Sequence, residues 1–231
     1  MQKSAHAMTI RALAIGFALV TLPFAALAAG KTDWTSHIGV SDMGGFQMGN
    51  PAAPTKVIEY VSYTCSHCAH FVAEGTGPLA TGWVKPGKVS IEVRNAVRDK
   101  YDLTAALLAR CGGKARFWGN HEALFANQEA WMQQLMSYDT QPGKPAEQVP
   151  AMQDIAAKTG LVTLMGKRGF TPAQVNACIA DPAALKQVLA MTESAWKTVG
   201  ITGTPSFTIN GKLIEPHDWD GLKAALPALP K

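Results

Sequence analysis

Charge is scarce in this sequence, and what there is nearly cancels. Charged residues make up 16% of the 231, with 21 basic and 17 acidic side chains and a formal net charge of +4. The basic residues are scattered, so no nucleic-acid footprint emerges. The low charge combined with a hydrophobic fraction of 47% excludes a disordered chain and predicts a buried core. Beyond the N-terminal segment no stretch is long and apolar enough to span a bilayer. No internal repeat appears. Cysteine is confined to Cys65, Cys68, Cys111 and Cys178. A second Cys-x-x-Cys is missing, which weakens a zinc reading, because Cys65 and Cys68 would need two more ligands and His67 and His70 are too close to supply them easily.

The N-terminus has a distinct character. "MQKSAHAMTIR" carries Lys3 and Arg11 without an acid, an apolar run "ALAIGFALVTLPFAALA" follows, and Ala26-Leu27-Ala28 offers a small-x-small cleavage site. Residues 1–28 therefore read as a secretory signal peptide. Pro23 and the length of the run argue against a retained anchor. An exported chain meets an oxidising compartment, where disulfides form and persist.

Residues 29–49 are rich in Gly, Ser, Asp and Met and read as a loose N-terminal arm that could hold a short strand. "KVIEYVSY" has the β-branched, mostly apolar character of a buried central strand, and it runs into "TCSHC". A helix interrupted near Pro78 follows, then an alternating strand in "KVSIEVRNAV". Helical spacing dominates residues 101–199. Thr171 before Pro172 predicts a helix start, and Gly160 a helix stop. "SFTI" and "KLI" flank Asn210-Gly211, a hairpin signal, and a last helix closes the chain. This order predicts an α/β fold in which residues 50–100 and 200–231 share one sheet and 101–199 form an inserted helical subdomain.

A cysteine at a strand-to-helix junction meets the unpaired N–H groups and positive end of the helix, which favour its thiolate. Cys65 holds that place. Cys68 lies one turn on, placed to bridge to it, and His67 adds a donor or positive charge nearby. A comfortable thiolate makes the corresponding disulfide a willing oxidant.

"VIEYVSYTCSHCAHF" followed far downstream by "GITGTPSFTINGKLI" resembles the thioredoxin superfamily, specifically the periplasmic DsbA-like thiol–disulfide oxidoreductases. "MGNPAAPTKVIEYVSYTCSHC" is similar to that family's opening signature, and the resemblance runs from about Gly49 to the C-terminus. It implies a thioredoxin fold with a helical insertion. It implies that Cys65 is an exposed nucleophile, Cys68 a buried resolving thiol, and Pro205 a cis-proline that leaves the backbone of Thr204 free to pair with an extended client. It further implies that Glu59 lies beneath the site and assists proton transfer, and that an inner-membrane, quinone-linked oxidase resets the pair. Neither metal nor organic cofactor is implied. The sequence departs from the best-known oxidase at Ser66, where proline is common, and at Thr204, where valine is; both leave the direction of electron flow open.

In an oxidising compartment the two remaining cysteines, Cys111 and Cys178, are expected to pair, and the resemblance points the same way; two buried free thiols are the alternative. Phe117, His121, Leu124 and Phe125 share helical spacing that reads as core, with His121 a satisfied core histidine; His37, His70 and His217 receive no role. The expected function is a monomeric periplasmic oxidoreductase that introduces disulfides into client proteins. A disulfide isomerase or reductase is the close rival, and a zinc-binding or chaperone-like binding module is the rival from another class.

Overall fold

A computed structural model describes residues 32–215 and 217–229. The expected signal peptide, residues 1–28, lies outside the described residues. Strand β1 (Ile38–Val40) and strand β2 (Phe46–Gly49) precede β3 (Thr55–Val61). β3 alternates β-branched and large side chains, and all but Lys56 and Ile58 are buried. It leads through Ser62–Cys65 into helix α1 (Ser66–Glu74), the short α2 (Thr76–Leu79) and a π-helical turn, Ala80–Val84. β4 (Val89–Asn95) returns parallel to β3, with Val57 opposite Ile91 and Glu59 opposite Val93. Near the C-terminus β5 (Ser206–Ile209) and β6 (Lys212–Ile214) form a hairpin whose β5 lies antiparallel along β3. Asn210 (φ 50°) and Gly211 (φ 81°) turn it, both in the left-handed region that such two-residue turns require. The Asn210 side chain also accepts from Lys56 N at 2.8 Å, tying the turn to the start of β3. The sheet order is β1-β2-β4-β3-β5-β6. Thus the strand that ends at the cysteines is central, and Glu59 lies within it.

Residues 38–49 are more ordered than the loose arm with a short strand that composition allows. They form a hairpin on the sheet, with Phe46 opposite Val93 and Met48 opposite Ile91. Phe46 supplies the reason. It is buried, stacks on Phe117 with ring centroids 4.0 Å apart, and carries the Arg110 guanidinium over its ring. One anchored aromatic outweighs the glycine-rich neighbourhood that hides the alternation.

Between β4 and β5 lie α3 (Lys100–Ala109), α4 (Phe117–Ala126), α5 (Gln128–Asp139), α6 (Gln148–Lys158), α7 (Leu161–Lys167), α8 (Pro172–Ile179) and α9 (Pro182–Glu193). Helix α3 is apolar on nearly every face and is buried from Asp102 to Ala109, as a helix at the centre of a block must be. Asp99 caps it by accepting from Tyr101 N and Asp102 N. Thr171 and Gln174 form a reciprocal capping box on α8, with Pro172 at the first helical position. A continuous apolar core joins the sheet to these helices, running from Val57 and Phe207 through Leu107 and Phe117 to Val175 and Ile179. A short helix α10 (Trp219–Ala225), capped by Asp218, closes the described fold.

Cys111, just past α3, is bonded to Cys178 in α8, 67 positions away, with Cα atoms 5.6 Å apart. Closing a loop of that length stabilises by about 4 kcal/mol if the effect lies in the unfolded chain. Replacing both residues by alanine is expected to lower the melting temperature by on the order of 10 °C, read by calorimetry, while the Cys65–Cys68 couple still exchanges.

Candidate active site

The site begins with a change of backbone direction. β3 ends at Val61, and Cys65 takes extended torsions (φ −91°, ψ 120°) as the N-cap of α1. Its sulfur closes no capping hydrogen bond, yet the main-chain N–H groups of Cys68 and His67 lie close enough to favour its anion. The Cys68 side chain, one turn along, is the strongest influence. Its thiol donates toward the Cys65 sulfur, and together with Thr204 and the two amides it outweighs desolvation and brings the Cys65 pKa down to about 4. Cys68 is fully buried, and burial first, then the proton it shares with Cys65, pushes its own thiol up. Two identical side chains thus become an anion and a proton donor because the more deeply buried Cys68 keeps its proton and offers it to Cys65.

The expected exposure of Cys65 needs correction. The residue keeps 6% of its surface, a narrow window rather than an open thiol. The cover comes from the loop before β5. Thr204–Pro205 is a cis peptide bond, and it brings the Thr204 carbonyl oxygen to 3.0 Å from the Cys65 sulfur. Thr204 faces that sulfur with two groups of opposite effect. Its carbonyl accepts from the protonated thiol, whereas its hydroxyl, buried without a hydrogen-bond partner, favours the thiolate.

His67 contributes differently from the sequence-based expectation. Its main-chain N–H supports the thiolate, while its exposed side chain lines an open groove of about 440 Å³ with Thr202, Gly203, Thr204, His217 and Asp218. His217, to which the sequence assigns no role, donates through Nδ1 to the Pro205 carbonyl at 2.6 Å, and Ser206 Oγ donates to Gly203 O at 2.8 Å. These two bonds brace the cis-proline loop.

Beneath the sulfurs, Glu59 is 1% exposed and its Oε1 has no hydrogen-bond partner. Burial alone pushes its carboxyl up to about 8, so it holds a proton at neutral pH. Were it ionised, its charge would raise the Cys68 thiol further. Other buried polar groups lie behind the loop. Asp102, Gln128 and His121 all contact Tyr63, and none is marked by a motif. His121 pairs with Tyr63 through Nδ1, leaves Nε2 without a partner, and is kept neutral because burial lowers its pKa to about 3. Among the described residues, no group of three or more His, Cys, Asp or Glu side chains is assembled for a metal ion.

Two measurements follow from this electrostatic order. Thiolate absorbance of the reduced protein is expected to give a Cys65 midpoint near 4; Cys68→Ala raises it more than Thr204→Val does, because Cys68 contributes most. Since the folded pKa lies below the ordinary thiol value of 9.0, this group stabilises the reduced fold above that value and loses its contribution as pH falls through about 4. Glu59 has the opposite sign. Its folded pKa of about 8 exceeds the ordinary 4.5, so stability present below pH 4.5 is lost as pH rises to 8. Glu59→Gln is therefore expected to raise the melting temperature, by more at pH 8 than at pH 5; an equal gain at both would contradict a protonated buried Glu59.

Comparison with known proteins places this geometry. Residues 41–228 match a family model described as thioredoxin. A crystal structure of a protein-disulfide isomerase from Novosphingobium aromaticivorans superposes with a TM-score of 0.71 and 36% identity, covering 78% of this chain and 93% of that one. Wolbachia pipientis α-DsbA1 shares the fold with a TM-score of 0.62 at 21% identity, over 80% of this chain and 90% of its own. A Rickettsia bellii protein, provisionally named a protein-disulfide oxidoreductase, is 28% identical over 181 residues, 78% of this chain. The chain spans only 58% to 62% of the length of its curated Rickettsia relatives. The family match takes in β2 through α10, the cysteine pair and the cis-proline loop alike, and on that extent the chain belongs to the thioredoxin family.

Proposed function

We propose that the chain is an exported thiol–disulfide oxidoreductase of DsbA type that introduces disulfides into client proteins through Cys65 and Cys68. The observation that carries this reading is the opposed acidity of the two sulfurs. A thiolate held near pKa 4 stabilises the reduced pair, and a stabilised product makes the Cys65–Cys68 disulfide an oxidant. The relatives' names, protein-disulfide isomerase and protein-disulfide oxidoreductase, support the same chemistry.

In the proposed reaction a client thiolate attacks Cys65 Sγ of the oxidised pair. The Cys65–Cys68 bond breaks, and the departing Cys68 sulfur takes a proton for which Glu59 is the nearby buried source. A second client thiolate then attacks the client sulfur of the mixed disulfide. Cys65 leaves as its stable thiolate, and two electrons have passed from the client to the pair. The client lies extended in the groove beside Thr204 and Pro205, pairing through its backbone, between His67 and His217.

Export to the periplasm through cleavage of residues 1–28 is part of this proposal, and the Cys111–Cys178 bond supports an oxidising setting. So is recycling by an inner-membrane, quinone-linked partner, and action as a monomer. The isomerase or reductase reading keeps one specific support, the isomerase name of the 36% identical relative. In that direction Cys65 attacks a client disulfide. For zinc, no third ligand joins Cys65 and Cys68 among the described residues.

The equilibrium of the Cys65–Cys68 couple against glutathione decides the direction. A strongly oxidising value is the expected result, and a value near about −270 mV, that of thioredoxin, would assign the protein to reduction instead. Cys65→Ser is expected to abolish disulfide transfer to a reduced model peptide, and unchanged transfer would remove the catalytic assignment altogether.

A further inference from the structure

Tyr63, two residues before the nucleophile, is held at every polar point by a different helix. Its N–H donates to Asp102 Oδ1 of α3 at 2.7 Å. Its hydroxyl pairs with His121 Nδ1 of α4 at 2.9 Å. Its carbonyl accepts from Gln128 Nε2 of α5 at 2.8 Å. The ring stacks on Phe125 of α4, centroids 4.8 Å apart. The same Gln128 nitrogen also donates to the carbonyl of Cys65 at 2.9 Å. Both of its N–H groups are therefore spent on the active-site turn, and the side chain is buried.

The placement of those two carbonyls matters. Tyr63 O belongs to the peptide before Thr64, and Cys65 O to the peptide after Cys65. The torsions that aim the Cys65 side chain lie between them. The backbone of the turn cannot swing Cys65 away from the helix mouth without breaking a buried bond to Gln128. The helix's own hold on that carbonyl is weaker in geometry, since Ala69 N lies 3.3 Å from Cys65 O.

We propose that Gln128 is a positioning residue for the nucleophile: by bridging the Tyr63 and Cys65 carbonyls it lets the helical block, rather than the sheet, set the orientation of Cys65. The inference rests on the thiol–disulfide reading above and extends it to a residue outside the site. The helical block then has a chemical task besides packing. It presents one amide whose donors fix the turn, while Asp102 accepts from Tyr63 N and so ties the same turn to Arg98 N, in the segment between β4 and α3.

The test is Gln128→Met, which keeps the length of the side chain and removes both donors. The reduced variant is expected to titrate Cys65 about one pH unit higher than wild type. The equilibrium of its pair with glutathione is expected to shift about tenfold away from the reduced form, the same factor expressed in the redox couple. The melting temperature of the oxidised variant serves as the structural control and is expected to move far less in proportion. Gln128→Leu repeats the loss with a branched side chain and decides the matter if the first variant does not fold. A thiolate midpoint and a glutathione equilibrium both within twofold of wild type would overturn the proposal. That failure is distinct from failure of the functional reading, which would show as an ordinary thiol titration in the wild-type protein itself.

Discussion

A single proton held between two sulfurs, one helical turn apart, governs this molecule. In the reduced state Cys68 keeps it and directs it at Cys65, whose charge is further met by the amides at the start of α1 and by the Thr204 hydroxyl. None of these groups is unusual alone. Their convergence on one sulfur, in a residue only 6% exposed, is what lowers its pKa, because the same low-dielectric surroundings that penalise an unpaired charge strengthen each hydrogen bond to a paired one.

That arrangement sets requirements on its surroundings. The cis-proline loop must sit close enough to cover Cys65, and Ser206 and His217 hold its Gly203 and Pro205 carbonyls. The acid beneath must avoid being a second negative charge. Glu59 meets that condition by burial in the central strand, where it stays protonated near Cys68. The strand bearing Glu59 is flanked by β4 on one side and β5 on the other, with Glu59 opposite Val93 and Phe207, and the residue is 1% exposed.

The helical block contributes by a different physical route. It is joined to the sheet by a continuous core and cross-linked within itself by Cys111–Cys178. Through Asp102, His121 and Gln128 it reaches the turn that carries the nucleophile. A loop that must present a charged sulfur and then let it leave gains from being braced by elements that do not take part in the exchange.

Local chemistry was legible in the residues themselves. The β-branched run before "CSHC", the Asn210-Gly211 turn and the Thr171-Pro172 helix start each depend on neighbours within a few positions, and the structure forms a strand, a hairpin and a capped helix there. The hairpin at 38–49 was not legible, since its alternation is carried by Phe46 and Met48 amid glycine and becomes decisive only when Phe117 arrives from elsewhere in the chain. The site divides the same way. Sequence alone placed Cys65 at a strand-to-helix junction with Cys68 one turn on. Only the tertiary structure decided how far Cys65 is covered, that Glu59 lies fully buried, and that Gln128, Asp102 and His217 touch the active-site loops. Those facts are distances and desolvation between residues remote in the chain, and no local pattern of side chains encodes them.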